Sequence, residues 1–218
     1  MLGALAAASL FLPARAQADI LYVSTAGDST IEKFTSGGSG SVFATSGMNF
    51  PAGLAFDSAG NLYAAIVHNN TIEKFTPGGV GSVFASSGLN GPAGLAFDSA
   101  GNLYAANAFN NTIEKFTPGG VGSVFASSGL NGPGGLAFDS AGNLYAANSG
   151  NSTIEKFTSG GGGSVFSSTG LSSSPEFLAF TNDAGVPLPL ANQVPEPATW
   201  ALLGLGLPAL LGAMRRRK

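Results

Sequence analysis

Three aspartates, Asp57, Asp98 and Asp139, each open the segment Asp-Ser-Ala-Gly-Asn, and four pairs, Glu32-Lys33, Glu73-Lys74, Glu114-Lys115 and Glu155-Lys156, recur at the same interval. A repeated acid invites a cation site. Calcium loops, however, place oxygen ligands at alternating positions and close on a glutamate, whereas Ser-Ala-Gly follows each aspartate here. The pattern predicts hairpin turns instead, in which the carboxylate accepts turn N–H groups and the glycine takes a positive φ. Neighbouring residues of a strand point to opposite faces, so the Glu-Lys pairs are expected as strand-surface charges, not as acid–base pairs. His68 is the only histidine, and cysteine is absent. That leaves no second imidazole for a metal site and removes thiol chemistry, disulfides and thiolate ligands. No metal or cofactor is expected.

The positions at which otherwise similar segments differ are more informative. They read Thr25-Ala26-Gly27, Ile66-Val67-His68, Asn107-Ala108-Phe109 and Asn148-Ser149-Gly150. Each set is expected in a turn between the second and third strands of a repeated unit. Ile66, Val67 and Phe109 are apolar residues at these loop positions, and with His68 and Asn107 they are the candidate binding residues. The connectors near Met48 and Phe50 belong to the same face. Apolar groups there stack on sugar rings or pack against a partner; the other reading is drift in solvent-exposed loops. Asn69, Asn110 and Asn151 open Asn-x-Thr triplets, but asparagine at a tight turn explains them without glycosylation.

The elements that position these residues come from one unit repeated every 41 residues. Ile-Glu-Lys-Phe starts at Ile31, Ile72, Ile113 and Ile154, and Ser-Val-Phe at Ser41, Ser82, Ser123 and Ser164. Leu-Tyr starts at Leu21, Leu62, Leu103 and Leu144, and Gly-Leu-Ala-Phe-Asp at Gly53, Gly94 and Gly135, with a degenerate copy at Phe177–Thr181. Each unit holds four short β-prone runs divided by Gly, Asn, Pro and Ser, the size and pattern of a propeller blade. No run between the ends has the length and period of a helix. The expected fold is all-β, a small β-propeller of four blades with four antiparallel strands each. The first unit begins at its second strand, Leu21 to Ser24, and Phe177 to Phe180 provides a spare first strand. The two ends are therefore expected to share one blade, a closure that removes open sheet edges.

The phrasing Pro-x-Gly-Leu-Ala-Phe-Asp-x-x-Gly-Asn-Leu-Tyr-x-Ala, followed by Asn-x-Thr-Ile-x-x-Phe, resembles an NHL-type blade from about Leu21 to Phe180. NHL propellers usually have six blades, so four is a departure. The resemblance also raises propeller enzymes, lactonases and lyases, which bind a metal through asymmetric polar residues from several blades. Near-identical blades leave little such asymmetry, so the chain is expected not to be an enzyme, with a lactonase or lyase as the alternative.

The two ends read as addresses. Met1 to Ala18 holds an apolar run from Leu2 to Leu12 and then Ala16-Gln17-Ala18, the small-x-small pattern of signal cleavage at Ala16 and Ala18. No Lys or Arg precedes that run, so translation is expected to start further upstream. At the other end, Val194-Pro195-Glu196-Pro197 leads into an apolar stretch, Ala198 to Met214, and then Arg215-Arg216-Arg217-Lys218. At about 1.5 Å per residue that stretch covers roughly 25 Å as a helix, enough for a bilayer core with slight thinning. The basic cluster places its end in the cytoplasm. This order of parts resembles the PEP-CTERM sorting signal of exopolysaccharide-producing Gram-negative bacteria. The resemblance implies recognition by an exosortase through Pro195, Glu196 and Pro197, with Arg215, Arg216 and Arg217 completing the signal and the tail removed.

The expected organisation is a signal peptide (1–18), a propeller (19–185), a linker with the Pro-Glu-Pro motif (186–197), and a transmembrane helix with its basic tail (198–218). The precursor is expected in the inner membrane with a periplasmic body, and the product at the cell surface or outside. Between the ends, four lysines face eleven acids and there is no arginine. Such a body does not bind nucleic acid. The remaining partners expected are exopolysaccharide or another surface protein, with a role in the matrix or biofilm.

Overall fold

The computed structural model describes residues 19–171 and 173–180, and among these all regular structure is β. The expected signal peptide with Ala16 and Ala18, the linker with Pro195, Glu196 and Pro197, and the terminal helix with Arg215, Arg216 and Arg217 lie outside the described residues.

Among the described residues, fifteen strands form four antiparallel meanders in chain order. The first sheet is β1 (Ile20–Thr25), β2 (Thr30–Thr35) and β3 (Gly40–Ala44). The second is β4 (Pro51–Phe56), β5 (Leu62–Ile66), β6 (Thr71–Phe75) and β7 (Gly81–Ala85). The third is β8 (Pro92–Phe97), β9 (Leu103–Asn107), β10 (Thr112–Phe116) and β11 (Gly122–Ala126). The fourth is β12 (Pro133–Phe138), β13 (Leu144–Asn148), β14 (Thr153–Phe157) and β15 (Gly163–Ser167).

The sheets stack like blades because each strand alternates its side chains between two neighbours. On β5, Leu62, Ala64 and Ile66 pack toward the first sheet, while Tyr63 and Ala65 pack toward the third. Burying one such Leu, Ile or Phe contributes about 1.5–3 kcal/mol, and the three junctions repeat the same set. Tyr63 meets Phe84 of its own sheet and Phe97 of the next edge-to-face, at 4.9 and 5.0 Å between ring centroids. Tyr104 does the same with Phe125 and Phe138.

At the axis the first strands β4, β8 and β12 run side by side. There Gly53 and Gly94 are required by close approach: a Cβ on Gly94 would collide with the carbonyl oxygen of Gly134, and one on Gly53 with that of Ala93. These strands line an axial cavity of about 370 Å³.

The expected closure is corrected in one respect. Phe177 to Phe180 forms no strand, and the first sheet has three strands with β1 at its edge. The segment follows β12 instead, with the Glu176 carbonyl and the Phe177 Cα against Gly135, just as Gly134 and Gly135 lie against Gly94. The aromatic packing between sheets sets the turn from each to the next. Repeated three times, it leaves the segment and β1 lining one cavity without pairing.

Candidate binding face

One end of the arc carries both the connectors between sheets and the turns between second and third strands. Backbone hydrogen bonds tie each turn to the connector beside it. Val67 and His68 N–H donate to the carbonyls of Phe50 and Asn49 (3.1 and 3.2 Å), Ala108 and Phe109 to Gly91 and Asn90 (3.0 and 3.3 Å), and Ser149 and Gly150 to Gly132 and Asn131 (3.1 and 3.0 Å). Side chains extend the ties to the next connector: Asn70 accepts from Gly91 N–H and Asn111 from Gly132 N–H, each at 2.7 Å. The grouping of turns and connectors on one face is as the sequence predicts.

The candidate residues divide within it. Ile66 is not in the loop but ends β5, fully buried at the junction of the first two sheets, because its side chain falls on the inward phase of the strand. Asn107 is also fully buried, at the end of β9. Its Oδ1 accepts from Asn90 N–H (3.1 Å) and its Nδ2 donates to the Gly88 carbonyl (2.9 Å) and Thr112 Oγ1 (3.0 Å), a clamp that Asn148 repeats in the fourth sheet. Val67 is buried. His68 and Phe109 are the two that face solvent, Phe109 with 66% of its surface exposed.

Phe50 completes the face. It stands where the sister connectors hold Gly91 and Gly132, and all three have left-handed backbones, with φ of 63°, 60° and 57°. Glycine takes that region freely, whereas a bulky L-residue is strained there by about 1–2 kcal/mol. Phe50 is 43% exposed and stacks on His68, with centroids 4.9 Å apart and 27° between planes. In the next repeat the aromatic comes from the other side, with Phe109 lying over Gly91. A row of aromatic surface therefore runs along this end, and the signal for Phe50 was its departure from glycine at a repeated position.

The opposite end is occupied by the repeated acids. Asp57 Oδ1 accepts from Ala59 N–H (3.0 Å) and Asn61 N–H (2.8 Å), and Oδ2 from Asn61 Nδ2 (2.8 Å) and Tyr63 Oη (3.3 Å), with Lys74 Nζ at 3.7 Å. Asp98 and Asp139 repeat the set. Burial opposes ionisation of Asp57, but the bonds from Asn61 and Ala59 and the charge of Lys74 hold its carboxyl below the usual value. These are turn anchors, as expected. Glu73, Glu114 and Glu155 correct the sequence reading: they are buried beneath the connectors, and burial pushes their carboxyls up.

The comparisons with known proteins agree with this architecture. Residues 130–157 match the NHL repeat, and residues 193–218 match the PEP-CTERM protein-sorting motif. Among solved structures, the chain resembles virginiamycin B lyase from Staphylococcus aureus (TM-score 0.63, 17% identity, covering 76% of this chain and 61% of that one). It also resembles a chain of a nidogen/laminin complex (0.66, 22%, 76% and 66%) and a protein assigned as a gluconolactonase (0.61, 18%, 76% and 65%). This chain thus spans about three-fifths to two-thirds of their length. No curated protein matches the sequence. The class defined is a β-propeller body in which residues 130–157 match an NHL repeat. Its carboxyl end carries a PEP-CTERM signal, the mark of export through exosortase sorting.

Proposed function

We propose that this is an exported, exosortase-sorted surface or matrix protein whose propeller arc binds and does not catalyse, with polysaccharide or a partner surface protein seated on the Phe50, His68 and Phe109 end. The observation that carries this reading is Phe50, an aromatic held at a left-handed position that its sister repeats fill with glycine. Strain retained at one copy of a repeat, with the ring left at the surface, points to use of that ring. Before processing, the body is held at the inner membrane through the C-terminal segment; afterwards it is at the surface.

The enzyme alternative asks for polar ligands from several blades at the axis. The axial cavity is lined mainly by glycines and leucines such as Gly53, Gly94, Leu54 and Leu95. Its polar side chains are the hydroxyls of Tyr22 and Ser24, both from the first sheet, with no carboxylate, Asn or His among the lining residues. One solved lyase relative is described as catalytically inactive after a His→Ala change, whereas the single histidine here stacks on Phe50 at the connector face. The repeated aspartates are used in their turns.

The test uses Phe50→Gly with Phe109→Ser. Glycine relieves the φ at position 50, so stability is expected to hold or rise by about 1 kcal/mol. Sedimentation with extracted polysaccharide and retention in the matrix should fall at least tenfold. Ser58→Ala, at the other end, should leave both unchanged. Unchanged binding in the double variant overturns the reading.

A further inference from the structure

We propose that a second copy of this chain completes the propeller head to tail, its first sheet docking on the fourth sheet of its neighbour and taking that neighbour's Phe177–Phe180 segment as its missing inner strand. Every junction inside the chain shows what covers a blade face. Leu62, Leu103 and Leu144, each on the second strand of its sheet, are 2%, 0% and 0% exposed because the preceding sheet packs on them. Leu21, the same position in the first sheet, is 63% exposed, and Phe34 is half-buried where Phe75, Phe116 and Phe157 are buried. The far face is open in the complementary way: Ile154 is half-buried where Ile31, Ile72 and Ile113 are fully buried, and Phe166 is 58% exposed. The two open faces are the two halves of the junction that the chain forms three times within itself.

The carboxyl segment supplies the register. Phe180 meets Tyr145 edge-to-face at 4.8 Å, as Phe138 meets Tyr104 at 5.0 Å. Glu176 and Phe177 lie on Gly135 as Gly134 and Gly135 lie on Gly94. The segment thus occupies the first-strand place of a blade that this copy does not provide beside it, while β1 has no inner neighbour among the described residues. By the pairing of Leu54 with Ala64, Leu178 falls opposite Val23 of the incoming copy. Within one copy Phe177–Phe180 and β1 line the same cavity yet form no strand pair, so each is left open to the matching element of a second copy. Head-to-tail contacts close into a ring when the rotation allows, and two copies do so by exchanging segments reciprocally.

The chain has no cysteine, so engineered thiols report the contact directly. Full-length Val23→Cys and full-length Leu178→Cys, purified in detergent and mixed under mild oxidation, should give a disulfide-linked dimer as the main product, and neither alone should. The double variant should give a dimer linked by two disulfides. The unmodified chain should show at least twice the monomer mass by light scattering, and Leu21→Glu should return it to monomer with unchanged circular dichroism. An internally crosslinked monomer from the double variant, no mixed disulfide, or a monomeric unmodified chain overturns the proposal.

Discussion

At the scale of single residues, two kinds of carboxylate respond to pH in opposite senses. Asp57 and Asp139 are held below the usual value by turn N–H groups and Asn side chains against the opposing effect of burial. Their contribution is present above the ordinary aspartate range and is lost as pH falls through the lower folded value. Glu73, Glu114 and Glu155 are pushed up by burial, so the folded state binds their protons more tightly than the unfolded chain does. The cost they impose is absent in acid and sets in as pH rises above about 4.5, the ordinary value for a free glutamate. Replacing all three by Gln is expected to raise the thermal midpoint at pH 7 and to leave it nearly unchanged at pH 4. Thermal unfolding followed across that range measures the difference, and a gain independent of pH would contradict the assignment.

At the scale of elements, the sheets are held apart and together by the same few atoms. Gly-Leu-Ala-Phe strands meet at the axis where a carbonyl occupies the space of a missing Cβ. Gly94→Ala puts a methyl group against backbone, which cannot rotate away, and should lower stability by about 2 kcal/mol as the third and fourth sheets part. Gly78→Ala is the matched control, because its Cβ would meet only Thr76 Oγ1 at an ordinary 3.8 Å and its φ is not left-handed; it should change stability by less than about 0.5 kcal/mol. Urea midpoints separate the two. The hairpins at the far end were legible from Asp-Ser-Ala-Gly-Asn, since the carboxylate and the glycine at φ 80–81° (Gly60, Gly101, Gly142) perform the turn with no help from other sheets.

At the scale of the whole molecule, export and folding use separate parts of the chain. The body between the end signals is acidic and free of arginine, whereas the sorting signal closes on Arg215, Arg216, Arg217 and Lys218. The surface form of the protein is expected to begin at Asp19 and to lack Arg215 to Lys218. Mass spectrometry of the ends, after fractionation, checks this. A surface-exposed product that still carries Arg215 would show that the tail is an anchor and not a sorting signal.

The strands, their order within each sheet, the turn aspartates and the sorting signal were legible in the sequence, because each depends on residues within a few positions of one another. Period-two patterning, turn chemistry and a motif read by an enzyme are local properties, and a 41-residue repeat displays them several times over. What only the tertiary structure decided depends on how one sheet meets the next. Ile66 and Asn107 look like loop residues in sequence yet are buried, since the phase of a strand end is set by the sheet packed beside it. The glutamates look like surface charges until the connectors cover them. The fate of Phe177 to Phe180 turns on the angle between sheets, which arises from Tyr and Phe rings packed across junctions and has no signature along the chain.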